Sequence, residues 1–150
     1  MLTSKVDYKA NSYLGSDQFG FRKGRGTRQA IETVRTIGER YLEHGKDVYI
    51  CFIDCEKAFN RVHWTYLFDV LKRIGVDWRD RRMIATLYMN QSAVVRVGDE
   101  TTEKCTIGRG VRQGCVYLSP VLLDIYREML IQEALEVLEG GVVIGGRTVK

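Results

Sequence analysis

Three short stretches carry residue types that could do chemistry. "YICFIDCEKAF", from Tyr49 to Phe59, ends an apolar run on Asp54. A carboxylate there is costly to bury unless something pairs with it. It suits a divalent cation, as a hard oxygen ligand on a rigid element; it equally suits a helix cap or an ion pair with Lys57 or Arg61. "GRGVRQGC" (108–115) is Gly-rich and precedes an apolar helical pattern. Its amides could cradle phosphate or lie under a base pair, with charge from Arg109 and Arg112 and a two-way amide on Gln113; a plain turn needs nothing more. "QFGFRKGRGTR" (18–28) mixes Phe19 and Phe21 with Arg22, Lys23, Arg25 and Arg28, without an acid. It fits phosphate-backbone contact, or a solvated basic loop. A fourth feature is the arginine group Arg79, Arg81 and Arg82 near a helix start, where the macrodipole disfavours cations.

Composition sets the bounds. The 150 residues suffice for one domain with a core. A hydrophobic fraction of 45% argues against wholesale disorder. The net charge of +4 arises mainly within the first 50 residues, which allows a polyanionic partner without demonstrating one. Cys51, Cys55, Cys105 and Cys115 form no C-x-x-C pair, and His44 and His63 lack zinc-ligand spacing. The expectation is free thiols, buried or half-buried, in a reducing compartment. No signal peptide and no membrane-length apolar run occur, so the chain is expected to be intracellular, nuclear or cytoplasmic, with no membrane partner.

The elements that must position these residues follow from periodicity. Residues 1–17 show little pattern and read as a poorly ordered start. Thr27 is placed to cap a helix with Ala30, Ile31, Val34, Ile37, Tyr41 and Leu42 on one face, ended by Gly45. "DVYICFID" (47–54) reads as a strand apolar on both faces. Trp64, Leu67, Phe68, Leu71 and Ile74 make a helical stripe stopped by Gly75. Asp77 caps a further helix to about Tyr88. Residues 93–107 read as a hairpin turning near Gly98 and Asp99. Ser119 and Pro120 start a helix lined by Leu122, Ile125, Tyr126, Met129, Ala134 and Leu138; Asp124 and Glu128 fall on its outer side. Gly140 and Gly141 end it, and "VVIGGRTV" is a last hairpin. Interleaved helices and antiparallel strands give an α+β class.

Taken in order, "QFGFRKGRGTRQAI", "FIDCEKAFNRVHW" and "GVRQGC…LSP…IY" resemble the reverse transcriptases of non-LTR (LINE-type) retrotransposons, over roughly residues 18–149. The resemblance implies a right-hand polymerase: part of the fingers, and a palm whose antiparallel sheet is backed by helices. Residues 18–150 would be the incomplete polymerase domain, with 18–46 in the fingers. It implies RNA-templated DNA synthesis, with an RNA template, a DNA primer, deoxynucleotides and Mg²⁺. Asp54 matches the first catalytic aspartate, which binds metal, with Ile53 beside it. Cys55, Glu56, Lys57 and Ala58 would border the metal and triphosphate. Phe59 matches the ring that excludes a ribose 2′-hydroxyl, although plain core packing explains it too. Arg112, Gln113 and Gly114 match the seat of the template base and new pair, Gln113 also facing the nucleotide. Gln18, Gly20, Phe21 and Arg22 match a finger segment at the template, and Lys23 and Arg25 extend its charge.

Three departures accompany the match. Asn60 stands where the family usually has Asp. Val116 and Tyr117 give one residue more than usual between Gln-Gly-Cys and Leu-Ser-Pro, which must bulge the loop or turn the helix by roughly 100°. The Tyr-Ala-Asp-Asp hairpin expected after "IGGRTV" is not among the 150 residues. The expectation is a fragment that does not polymerise alone; a non-catalytic RNA or primer–template binding module and a decayed remnant are the rivals.

Overall fold

The computed structural model describes residues 2–136, 142–144 and 147–149. Among the described residues, six helices and six short strands occur in chain order: α1 (Leu2–Tyr13), α2 (Thr27–Glu43), α3 (Ala58–Arg61), α4 (Trp64–Arg73), α5 (Trp78–Tyr88), β1 (Ser92–Ala93), β2 (Arg96–Val97), β3 (Glu100–Thr101), β4 (Cys105–Thr106), α6 (Leu118–Glu136), β5 (Val142–Ile144) and β6 (Arg147–Val149). The α+β class stands as helices plus small antiparallel ladders. The described strands form three separate two-stranded ladders, β1 with β4, β2 with β3 and β5 with β6, rather than one helix-backed sheet.

Helix α6 is the centre. Leu122, Leu123, Ile125 and Met129 are buried there, and Leu118, Ser119, Asp124 and Tyr126 are covered as well. Burial on more than one side is what a helix flanked by others requires. α1 and α4 pack against it, and α5 packs on α4. Leu67 and Leu71 of α4 and Ile84 of α5 complete the core. The ends of α4 and α5 follow local chemistry. Gly75 takes φ +79° after α4, and Asp77 accepts the Arg79 backbone N–H at 2.8 Å. The hairpin also forms as expected, turning on Gly98 at φ +64°.

Several expectations need correction. The opening residues form α1, because Val6 and Ala10 stand four apart, Leu14 follows at the same interval, and all three are buried. Residues 47–54 are not a strand. A strand exists through its ladder, and no described strand pairs with this segment; Tyr49 and Phe52 remain 93% and 84% exposed. Helix α2 starts after Gly26 rather than being capped by Thr27, with the Gly26 N–H donating to Gln29 Oε1 at 2.8 Å. Its apolar face is present but buries no residue. The cysteines are free, yet Cys51, Cys55 and Cys105 are exposed and only Cys115 is half-buried.

At the start of α6 the first-turn amides meet Cys115 rather than a Ser119 cap. The thiol accepts the backbone N–H groups of Ser119 and Leu118, which lowers its pKa. Ser119 instead is buried against the Tyr88 hydroxyl at 3.0 Å. Val116 and Tyr117 are both exposed in the bend before α6, and Leu122, Ile125, Tyr126 and Met129 are buried as the periodicity predicts. Ala134 is exposed. Asp124 is not on the outer side: it is 1% exposed. The expectations for Leu138, Gly140 and Gly141 lie outside the described residues.

Candidate functional site

Phe59 is where the separate motifs meet. Its segment, residues 55–61, turns sharply at Lys57 (φ +53°) into the single turn of α3. That turn leaves Ala58 and Phe59 half-buried against the core while Cys55, Glu56 and Lys57 face solvent. Phe21 reaches Phe59 edge-on, with ring centroids 6.4 Å apart and planes at 80°. Such T-shaped geometry is the favoured one for two rings. Phe21 sits at φ +48°, a conformation a bulky residue rarely adopts.

The Gly-rich loop docks on the same segment from the other side. The Val111 N–H donates to the Phe59 carbonyl at 2.8 Å, and the Gly110 N–H to the Val62 carbonyl at 2.8 Å. The Trp64 indole N–H closes the clamp by donating to the Gly110 carbonyl at 2.8 Å. Trp64 reads from sequence only as part of an apolar stripe; its polar end is what the stripe conceals. We expect Trp64→Phe to cost about 1–3 kcal/mol, because the ring stays but the buried Gly110 carbonyl loses its donor. Urea unfolding of the two proteins measures this.

Beyond the clamp, Asn60, Gln91, Arg109, Arg112 and Gln113 line a cavity of about 200 Å³. Gln113 and Gly114 are exposed, and Gly114 has φ +94°. Arg112 donates through Nη2 to the Leu87 carbonyl at 3.2 Å, so part of its guanidinium ties the loop to α5.

The basic loop is held by its own cations. Arg22 Nη1 donates to the Gly15 carbonyl at 2.7 Å. Arg25 donates to the Ser16 carbonyl and lies over the Phe19 ring at 5.8 Å. Lys23 and Gly20 remain exposed. Gln18 anchors the loop on α6 by donating Nε2 to Asp124 Oδ1 at 3.1 Å. Burial raises the Asp124 pKa to about 7, against the opposing pull of Arg127, the Gln18 bond and Arg22. Asp124 was missed at the sequence level. The one available signal was an acid inside the apolar run "VLLDIY".

Asp54 is exposed and lines a cleft of about 490 Å³ with Glu56, Arg61, Tyr126 and Arg127. Neither bland role for it is observed. Lys57 and Arg61 approach Glu56 instead, each at 3.9 Å, and the N-cap of α3 is Lys57. Ile53 is also exposed. A magnesium site needs several hard oxygen ligands. Glu56 is turned to two cations, and Cys55 is a soft donor. Among the described residues no group of three or more His, Cys, Asp or Glu could hold a metal. The described residues therefore do not fit a two-ion centre.

Comparison with known proteins places the chain in a family. The family model described as reverse transcriptase (RNA-dependent DNA polymerase) matches residues 2–144. The chain belongs to the reverse transcriptase family. Helix α1 thus lies within the family match as well as within the core. The transposon TX1 uncharacterized 149 kDa protein of Xenopus laevis is 35% identical over 92 residues, 61% of this chain and 7% of that protein. The retrovirus-related Pol polyprotein from type-1 retrotransposable element R2 of Popillia japonica is 31% identical over 87 residues, 58% of this chain and 14% of that protein. These relatives bear out the non-LTR branch expected from the motifs. The matched segment covers only a small part of either relative. Among the described residues no helix is long and apolar enough to cross a membrane.

Proposed function

We propose that this chain is the part of a non-LTR reverse transcriptase that seats an RNA template, a DNA primer and the incoming deoxynucleotide. The supporting observation is the convergence at Phe59 of three motifs far apart in sequence: Phe21 by ring contact and the Gly110–Val111 loop by backbone bonds. In this reading residues 18–46 belong to the fingers and the later elements to the palm. Cys55, Glu56, Lys57 and Ala58 border the nucleotide, and the Phe59 ring lies under its sugar. Gln113 and Gly114 meet the template base, with Arg112 holding their loop. Gln18, Gly20, Phe21 and Lys23 flank the template, and Arg22 and Arg25 keep that flank folded. Asp54, with Ile53 beside it, marks the reacting edge. One carboxylate cannot offset the mutual repulsion of two dications about 3.5–4 Å apart, on the order of 20 kcal/mol at an effective dielectric near 20.

The 150-residue chain should therefore hold RNA without extending a primer. Filter binding should show retention at low salt and a steep loss as salt rises, with Lys23→Ala lowering the log–log slope by about one. No retention at low salt overturns the seating role. Primer extension with Mg²⁺ and deoxynucleotides should give no incorporation. Incorporation that disappears in Asp54→Ala would show that the chain has a working metal centre after all.

A further inference from the structure

Residues 47–54 leave both their backbone and their apolar side chains unused. From 46 to 55 the chain runs without helix, turn or bend, and none of these residues takes a positive φ. Among the described residues, no backbone N–H or carbonyl of 47–54 has a hydrogen-bond partner. Tyr49, Phe52 and Ile53 stand mostly in solvent. Such a segment offers another strand a row of open donors and acceptors, and its apolar side chains favour being covered.

The charges of the segment complement themselves. Lys46 and Asp54 stand at equal distances on either side of Ile50. Two copies laid antiparallel, with Ile50 opposite Ile50, set Lys46 of each copy against Asp54 of the other. Between these pairs Val48 of each copy meets Phe52 of the other, on the same face as Ile50, because side chains alternate with period two. Opposite charges directly across a strand pair stabilise it, and like charges oppose it. The neighbouring registers are poorer. Sliding by one position sets Asp47 against Asp54 twice. Centring on Cys51 exchanges Asp54 for Glu56, which Lys57 and Arg61 already approach. A parallel pair in register stacks Lys46 on Lys46 and each aspartate on its copy. Lys46 itself is exposed, and its side chain has no partner among the described residues. We propose that residues 46–54 are a self-association edge, which takes a second copy of this chain as an antiparallel strand centred on Ile50. The same patch serves both copies, so a two-fold dimer closes the contact.

Sedimentation velocity of the full chain over a concentration series tests this, with a thiol reductant present because Cys51 and Cys55 are exposed. A monomer–dimer equilibrium is expected. Lys46→Asp should weaken dimerisation roughly tenfold, because an attraction becomes a repulsion at two symmetric places. Asp54→Lys alone should act likewise. The double variant Lys46→Asp, Asp54→Lys restores both pairs with their signs exchanged, and should return to within about threefold of the parent. Thermal melting of dilute Lys46→Asp should match the parent, since its side chain has no folded-state partner to lose. Amide exchange followed by NMR should slow at alternate residues of 47–54 as protein concentration rises, the mark of an antiparallel ladder. A monomer at every concentration overturns the proposal and leaves the edge to a strand of another kind. A dimer indifferent to Lys46→Asp and to Asp54→Lys overturns it by placing the interface elsewhere. Loss in the single variants without recovery in the double overturns the pairing about Ile50. Assemblies that grow past the dimer overturn the closed two-fold contact.

Discussion

Gly110→Ala is expected to remove on the order of 3–5 kcal/mol of folding stability and to loosen the loop that carries Gln113. Two costs add. Gly110 has φ +95°, a conformation that strains any residue with a Cβ by about 1–3 kcal/mol. The added methyl would also stand 3.0 Å from the Phe59 carbonyl oxygen and 3.0 Å from the Asn60 Cα. Both are backbone atoms that cannot swing aside as a side-chain tip would. Relief requires the loop to lift, and lifting stretches the Gly110–Val62, Val111–Phe59 and Trp64–Gly110 hydrogen bonds together. Gly114 supplies the control. It has a similar φ of +94°, but nothing lies within 4 Å of its added Cβ. Gly114→Ala should cost only the strain, about 1–3 kcal/mol. Urea unfolding of the three proteins separates close packing from conformational strain. Equal losses for the two glycines would mean that the docking against Phe59 contributes little. RNA retention adds the functional reading: the seat at Gln113 depends on the clamp, so Gly110→Ala should weaken retention even under conditions where the protein remains folded.

The same clamp shows where sequence reading reached and where it stopped. Asp77 and Gly75 act through neighbours a few residues away, so the end of α4 and the start of α5 were legible; so was the hairpin turning at Gly98. Residues 47–54 carry every local mark of a strand, but a strand is a relation between two segments, and local pattern holds no record of the second. Helix α1 failed for the opposite reason. Its buried positions are only Val6, Ala10 and, just beyond it, Leu14, set among Ser4, Asn11 and Ser12, and a stripe that sparse declares itself only once α6 covers it. At the candidate site, the expectations for Asp54, Phe59 and Gln113 came from family resemblance. The contacts that organise them were not legible: Trp64 to Gly110 spans 46 positions and Gln18 to Asp124 spans 106.

Asp124 gives the second large effect, and its sign is fixed by burial. Its folded-state pKa of about 7 lies above the ordinary value of 3.8. Between those two values the folded protein binds more protons than the unfolded chain, so stability falls as pH rises from about 4 to about 7 and levels off above that. Each tenfold change in proton affinity is worth about 1.4 kcal/mol, so the whole loss is on the order of 4 kcal/mol. Asp124→Asn keeps an oxygen to accept from Gln18 Nε2 and removes the charge that burial penalises. The variant should match the parent near pH 4 and exceed it by roughly 3–4 kcal/mol at about pH 8. Other titrating groups act on both proteins alike, so the difference between their urea-unfolding profiles isolates this carboxyl. Parallel profiles would show that Arg127 and Arg22, the cations nearest in effect, already neutralise the charge. The consequence reaches the site through Gln18, the loop's anchor on α6. A carboxylate destabilised by burial but bonded to Gln18 trades core stability for a fixed position of the loop that carries Phe21 to Phe59. Asp124→Asn should therefore stabilise the core at alkaline pH while weakening the charge-assisted bond that holds the loop, and amide exchange across residues 18–25 should quicken even as the unfolding midpoint rises.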